Sequence, residues 1–161
     1  MTKVQEDAIE VLLVEDNLAD IHLTKEAFAE GSIRPNLKVV RNGVEALEYL
    51  RGDSRHAKAS LPKLILLDLN LPKINGRELL AELKQDPDLK SIPVLVLSTS
   101  AAPQDIQDCY NLHANCYVVK PSNIEDFART VRSIEEFWIT CAKLPGASDE
   151  HRPRRPGLPR S

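Results

Sequence analysis

Three carboxylates, a hydroxyl and an ammonium stand at the ends of short apolar runs in this chain. Glu15-Asp16 follows Ile9–Val14, Asp68 follows Leu64–Leu67, Ser98 follows Val94–Leu97, and Lys120-Pro121 follows Cys116–Val119. Continuous apolar runs of this length read as strands buried on both faces of a parallel sheet. Ligands of open α/β sheets sit at the carboxyl ends of the strands. The five side chains are therefore expected to meet at one sheet edge. Carboxylates packed together repel, and a hard divalent cation such as Mg²⁺ relieves them. A lysine and a hydroxyl beside that cluster suit phosphoryl oxygens. The chemistry this composition points to is phosphate carried on Asp68.

Other chemistries find less support. The four histidines show no metal-ligand spacing. Cys109, Cys116 and Cys141 lack a Cys-x-x-Cys pair and read as reduced core or helix thiols. No GxxxxGK[ST] phosphate loop occurs. A dehalogenase-type phosphohydrolase would also use an aspartyl phosphate, but it needs a second aspartate two residues after the nucleophile. That position is Asn70.

The elements that must position these residues alternate strictly. Five apolar runs are separated by helical patterns, beginning near Ala19–Glu30, Val44–Leu50, Gly76–Gln85 and Ala101–Pro103, with a last helix over about Asn123–Ala142. This alternation predicts an α/β fold: a flavodoxin-like (βα)5 doubly wound parallel sheet with strand order 2-1-3-4-5. The loop over residues 52–63 is long and polar.

The 161 residues fit one domain and a tail. Residues 1–8 are expected to be disordered, residues 9–144 to form the domain, and residues 145–161, rich in proline and arginine, to be a disordered tail. The net charge of −3 offers no argument for nucleic acid. No apolar run is long enough for a membrane span, and Met1–Glu10 lacks the pattern of a signal peptide, so a cytoplasmic protein is expected.

Val14-Glu15-Asp16-Asn17, the Leu66–Pro72 stretch around Asp68, Gly76, Ser98 and Lys120-Pro121 resemble the receiver domain of two-component response regulators over about residues 9–142. The resemblance implies a phosphoacceptor rather than an enzyme. Asp68 would take a phosphoryl group from a sensor histidine kinase. Glu15, Asp16, Asp68 and the backbone carbonyl of Asn70 would hold Mg²⁺. Lys120 and Ser98 would bind phosphoryl oxygens, and Ser98 with Tyr117 would form the switch. Output would be by protein contact, or by passing phosphate onward to a histidine phosphotransfer protein.

A narrower set is similar to the receivers that serve bacterial phytochrome kinases. It comprises the 52–63 loop, Val96–Ser100, Leu112–Tyr117 and Ile134–Trp138 followed by Leu144-Pro145. This resemblance implies a bacteriophytochrome kinase as partner. The last helix adds an assembly expectation. Its inner stripe runs from Ile124 through Phe137, and on an ideal helix Trp138 and Ile139 turn beyond it. Exposed apolar groups there, around Phe137, Trp138 and Ile139, predict a homodimer interface.

Overall fold

The computed structural model describes residues 9–31, 34–52 and 61–145. The expected disorder of residues 1–8, that of the tail beyond Pro145, and most of the 52–63 loop lie outside them. Five parallel strands, β1 (Glu10–Val14), β2 (Asn36–Val40), β3 (Leu64–Asp68), β4 (Val94–Ser98) and β5 (Cys116–Val119), form one sheet in the order β2-β1-β3-β4-β5. β3 and β4 are buried along their whole length, as unbroken apolar runs require. The edge strands β2 and β5 are mostly half-buried.

Strand side chains alternate between two cores. Leu12, Val14, Ile65, Leu67, Val94 and Val96 face one, while Val11, Leu13, Leu64, Leu66, Leu95 and Leu97 face the other. Helices α2 (Gly43–Arg51) and α3 (Gly76–Gln85) cover the first core through Leu47, Leu50, Leu79, Leu80 and Leu83. Helix α4 (Pro103–Asn111) adds Cys109 to it. Helices α1 (Leu18–Glu30) and α5 (Ile124–Ile134) cover the second through Ile21, Phe28, Phe127, Val131 and Ile134. Among the described residues, no helix is long and apolar enough to cross a membrane.

Helix starts are set by asparagine. Asn17, Asn42, Asn75 and Asn123 each accept the backbone N–H three residues on, at α1, α2, α3 and α5. Each such cap contributes about 1 kcal/mol. Helix α4 has no side-chain cap and begins on Pro103, whose missing N–H costs nothing there.

The last helix departs from the expected single α-helix. After Ile134 it widens into a π-helical turn over Glu135–Cys141, closed by the Ala142 N–H bonding the Phe137 carbonyl five residues back at 2.8 Å. The wider turn delays the inner stripe, which becomes Phe127, Val131, Ile134 and Ile139. Three expectations are corrected. Ile139 is 8% exposed and belongs to the core, and Phe137 is 56% exposed and stands off the stripe. Ile124, the first helical residue, is also exposed rather than inward. Trp138 is half-buried against the second core and meets the Phe137 ring edge-on at 5.5 Å.

Candidate functional site

The strand order places β1 between β2 and β3, so the chain's connections part company at the carboxyl ends of β1 and β3. Such a switch point leaves a crevice where ligands bind. Glu15 continues the ladder beyond β1 through its N–H to the Val40 carbonyl at 3.0 Å. Asp68 is the last residue of β3 and Ser98 the last of β4. Lys120, just past β5, is tied to β4 by its N–H bond to the Ser98 carbonyl at 2.7 Å. Helix α3 closes one wall, with the Gly76 N–H on the Leu69 carbonyl at 2.9 Å. A Cβ at Gly76 would stand 2.5 Å from Leu69 Cα and 2.6 Å from the Asp68 carbonyl oxygen. Any side chain there would displace the backbone that carries Asp68.

Glu15, Asp68, Ser98 and Lys120 are all buried. The Lys120 ammonium donates to Glu15 Oε1 at 2.9 Å, Asp20 Oδ2 at 2.8 Å and Asp68 Oδ1 at 3.3 Å. Burial pushes the Glu15 carboxyl up to about 7, the neighbouring Asp68 charge pushes the same way, and Lys120 offsets only part. Burial likewise raises Asp68, against the pull of Lys120, Glu15 and the Asn70 N–H. For Lys120, burial favours the neutral amine, but Asp20, Glu15 and Asp68 together hold it above the ordinary lysine value. Three carboxylates thus share one ammonium, so the cluster is short of positive charge.

The expected side chains meet with one exception. Asp16 is exposed and turned toward Arg41, its carboxylate 3.9 Å from the guanidinium, which also bonds the Asp16 carbonyl at 3.2 Å. Asn70 is exposed, and its N–H serves Asp68. Among the described residues, no three His, Cys, Asp or Glu side chains are arranged to hold a metal ion, and the Lys120 ammonium engages Glu15 and Asp68. The donors themselves are hard oxygens, and they fit an ion of the Mg²⁺ type once Asp16 turns inward.

Ser98 and Tyr117 converge on the loop between β4 and α4. Ser98 Oγ accepts the Ser100 N–H at 3.1 Å, and the Tyr117 hydroxyl donates to the Ser100 carbonyl at 2.8 Å. Ser100 Oγ donates to Asp105 at 2.5 Å, and Asp105 is paired with Arg77 of α3. Hydrogen bonding to Ser100 and the Arg77 charge hold the Asp105 carboxyl below its usual range. The Lys120–Pro121 bond is trans, since no cis peptide occurs among the described residues.

Three participants escape a reading of the sequence. Asp20 lies in the first turn of an asparagine-capped helix, where an acid reads as a dipole partner. Arg77 and Asp105 are 28 residues apart and belong to no motif. The signal for Asp20 lies in its neighbour Asn17: in α3 the corresponding acid, Glu78, folds back onto its cap, whereas in α1 Glu15 takes the cap N–H at 3.1 Å and leaves Asp20 free to reach Lys120.

Comparison with known proteins identifies the family. The response regulator receiver domain model matches residues 11–132. The chain is 46% identical over 137 residues to the response regulator Rcp1 of Synechocystis sp., covering 85% of this chain and 93% of that protein. The crystal structure of the phosphorylated cyanobacterial phytochrome response regulator RcpA superposes with a TM-score of 0.84 at 52% identity, over 86% of this chain and 99% of RcpA. The Mn²⁺-bound form of Rcp1 superposes with a TM-score of 0.82 at 45% identity, over 86% of this chain and 99% of that one. With its sheet order, its buried acids and lysine and these matches taken together, the chain belongs to the response regulator receiver domain family.

Proposed function

We propose that Asp68 accepts a phosphoryl group from a phosphohistidine of a sensor histidine kinase, and that a kinase of the bacteriophytochrome type supplies it. The observation that carries this reading is the buried Asp68 at the end of β3, within reach of Lys120 and opposite Leu97, the residue before Ser98 on β4. The phosphorus–nitrogen bond to the donor imidazole breaks and a phosphorus–oxygen bond to an Asp68 carboxylate oxygen forms. The leaving imidazole takes up a proton.

Such a transfer needs alignment and charge screening more than covalent help. Glu15, Asp16, Asp68 and the Asn70 carbonyl would hold Mg²⁺, which neutralises phosphoryl charge when bound. Lys120 turns from the carboxylates to a phosphoryl oxygen. Ser98 gives up the Ser100 N–H and donates its hydroxyl to another. The acyl phosphate brings roughly one to two negative charges into the site. Losing the Ser98 tie frees Ser100, and with it the contacts to Tyr117 and Asp105 that hold the β4–α4 loop. A local charge change thus biases a two-state surface.

The protein acts as a phosphoacceptor that assists its own phosphorylation and dephosphorylation, in the cytoplasm, and signals by protein contact. Assembly is as a homodimer, supported by the exposed Phe137 beside half-buried Trp138. The kinase assignment is supported by the similarity to RcpA, a phytochrome response regulator.

Acetyl phosphate with Mg²⁺ tests the chemistry. Intact mass spectrometry should show one added phosphoryl group, lost in Asp68→Asn and in excess EDTA. A gain that survives the substitution, or that needs no divalent metal, would refute the assignment.

A further inference from the structure

Lys120 holds three acids with its three N–H donors, and two of them are claimed by the metal. Glu15 and Asp68 are the buried carboxylates that the proposed function assigns to Mg²⁺, so ammonium and ion compete for the same oxygens. The third, Asp20, is outside that set. Its contact with Lys120 is the shortest of the three at 2.8 Å, and the contact with Asp68 is the longest at 3.3 Å.

Asp20 is also held in place for this contact. Its N–H donates to Asn17 Oδ1 at 2.9 Å, the Asn17 N–H donates to Glu15 Oε2 at 3.1 Å, and Lys120 closes the ring between Glu15 and Asp20. The other capped helices spend the equivalent acid locally. Glu78 bonds the Asn75 N–H, Glu45 the Arg41 N–H, and Asp126 the Asn123 side chain. Asp20 alone of these acids reaches across to another element's lysine.

Resting on the proposed function, we infer that Asp20 is a positioning residue: it retains the Lys120 ammonium when a divalent cation takes Glu15 and Asp68. A buried lysine that lost all its carboxylates would be an unpaired charge in a site of low polarity. With Asp20 in place, Lys120 steps aside without that loss and stays within reach of an incoming phosphoryl oxygen. Without it, Lys120 grips Glu15 and Asp68 and opposes the ion.

The test is calorimetric titration of the full chain with Mg²⁺ alone, without phosphate donor. Asp20→Asn is nearly isosteric and keeps the cap, which uses the Asp20 backbone. It should bind Mg²⁺ on the order of tenfold more weakly, the scale of exchanging a charge-assisted hydrogen bond for a neutral one. Lys120→Met should bind more tightly than wild type. In the Lys120→Met background, Asp20→Asn should have an effect at least threefold smaller, because its route through the lysine is gone. An equal loss in both backgrounds would reduce Asp20 to a bare charge and overturn the inference, as would unchanged affinity in Asp20→Asn. Nuclear magnetic resonance of ¹⁵N-labelled lysine gives a second measure that needs no Lys120 variant. In Mg²⁺-saturated wild type the Lys120 ammonium should stay hydrogen-bonded and slow to exchange, and in Asp20→Asn it should not. Fast exchange in saturated wild type would also overturn the inference. Wild type that binds no Mg²⁺ at all would instead overturn the proposed function on which it rests.

Discussion

Replacing Lys120 with methionine removes the ammonium around which Glu15, Asp20 and Asp68 are gathered. Methionine fills similar volume, so the loss is one of charge. Breaking a buried ion pair from one side costs about 3–5 kcal/mol, because the partner is left uncompensated. The acids can escape that cost by taking up protons. Glu15 stands at about 7 even with Lys120 present, and without the lysine it rises further. A carboxyl raised in the fold favours the folded state while protonated, and that contribution is lost as pH rises through its folded value. The deficit of Lys120→Met should therefore be small near pH 5 and full near pH 8. At about 4 °C per kcal/mol for a fold of this size, the melting temperature should fall by roughly 12–20 °C at pH 8. Mg²⁺ at a hundred times its dissociation constant should return about 2.7 kcal/mol. Thermal unfolding followed by circular dichroism, in EDTA at both pH values and then in Mg²⁺, measures all three effects. A loss below about 1 kcal/mol, or one equal at pH 5 and pH 8, would show that Lys120 does not neutralise the acid cluster.

The same electrostatics make Glu15→Gln stabilising in EDTA at pH 8. Burial raises Glu15 from 4.5 to about 7, which sets a ceiling of about 3 kcal/mol, visible in urea unfolding and gone at pH 4; a destabilised variant at pH 8 would contradict it. Arg77→Ala releases Asp105 and loosens the β4–α4 loop, so hydrogen exchange at residues 99–105 should speed up several-fold before any phosphorylation, whereas Ser98→Ala should leave that loop unresponsive to phosphorylation. If both variants exchange as wild type does, the Ser100 contacts do not transmit the signal. Sedimentation equilibrium should find dimer at micromolar concentration, and Phe137→Ser should dissociate it at least tenfold more readily; a wild type that stays monomeric at high concentration ends the dimer proposal.

The sheet was legible because its strands are unbroken apolar runs, a pattern that buried parallel strands share with few alternatives. Helix α3 was legible to the residue, from Gly76 to Gln85, since Asn75 and Asp86-Pro87 bracket it. The four strand-end groups Glu15, Asp68, Ser98 and Lys120 came with the strands, because parallel topology brings their carboxyl ends together. Orientation was not legible. Nothing local says that Asp16 turns out to Arg41 while Glu15 turns in, a choice made by a contact between residues 25 apart. Asp20 was hidden because its conduct depends on which group takes the Asn17 N–H. The π-turn was hidden for a related reason: hydrophobic spacing assumes a constant helical pitch, and the pitch changes after Ile134.

That change of pitch divides the last helix into two segments under different packing constraints. Phe127, Val131 and Ile134 are locked to the sheet, and replacing any of them opens a hole in the second core. Phe137 answers to no such constraint, since the extra residue in the turn rotates it outward while returning Ile139 to the interior. The widened turn works as a rotational spacer. A single-residue deletion between Ile134 and Ile139 would restore α-helical pitch and leave Ile139 four places after Ile134, still on the inner stripe. The turn therefore absorbs the gain or loss of one residue on the outer surface without repacking the interior beneath it.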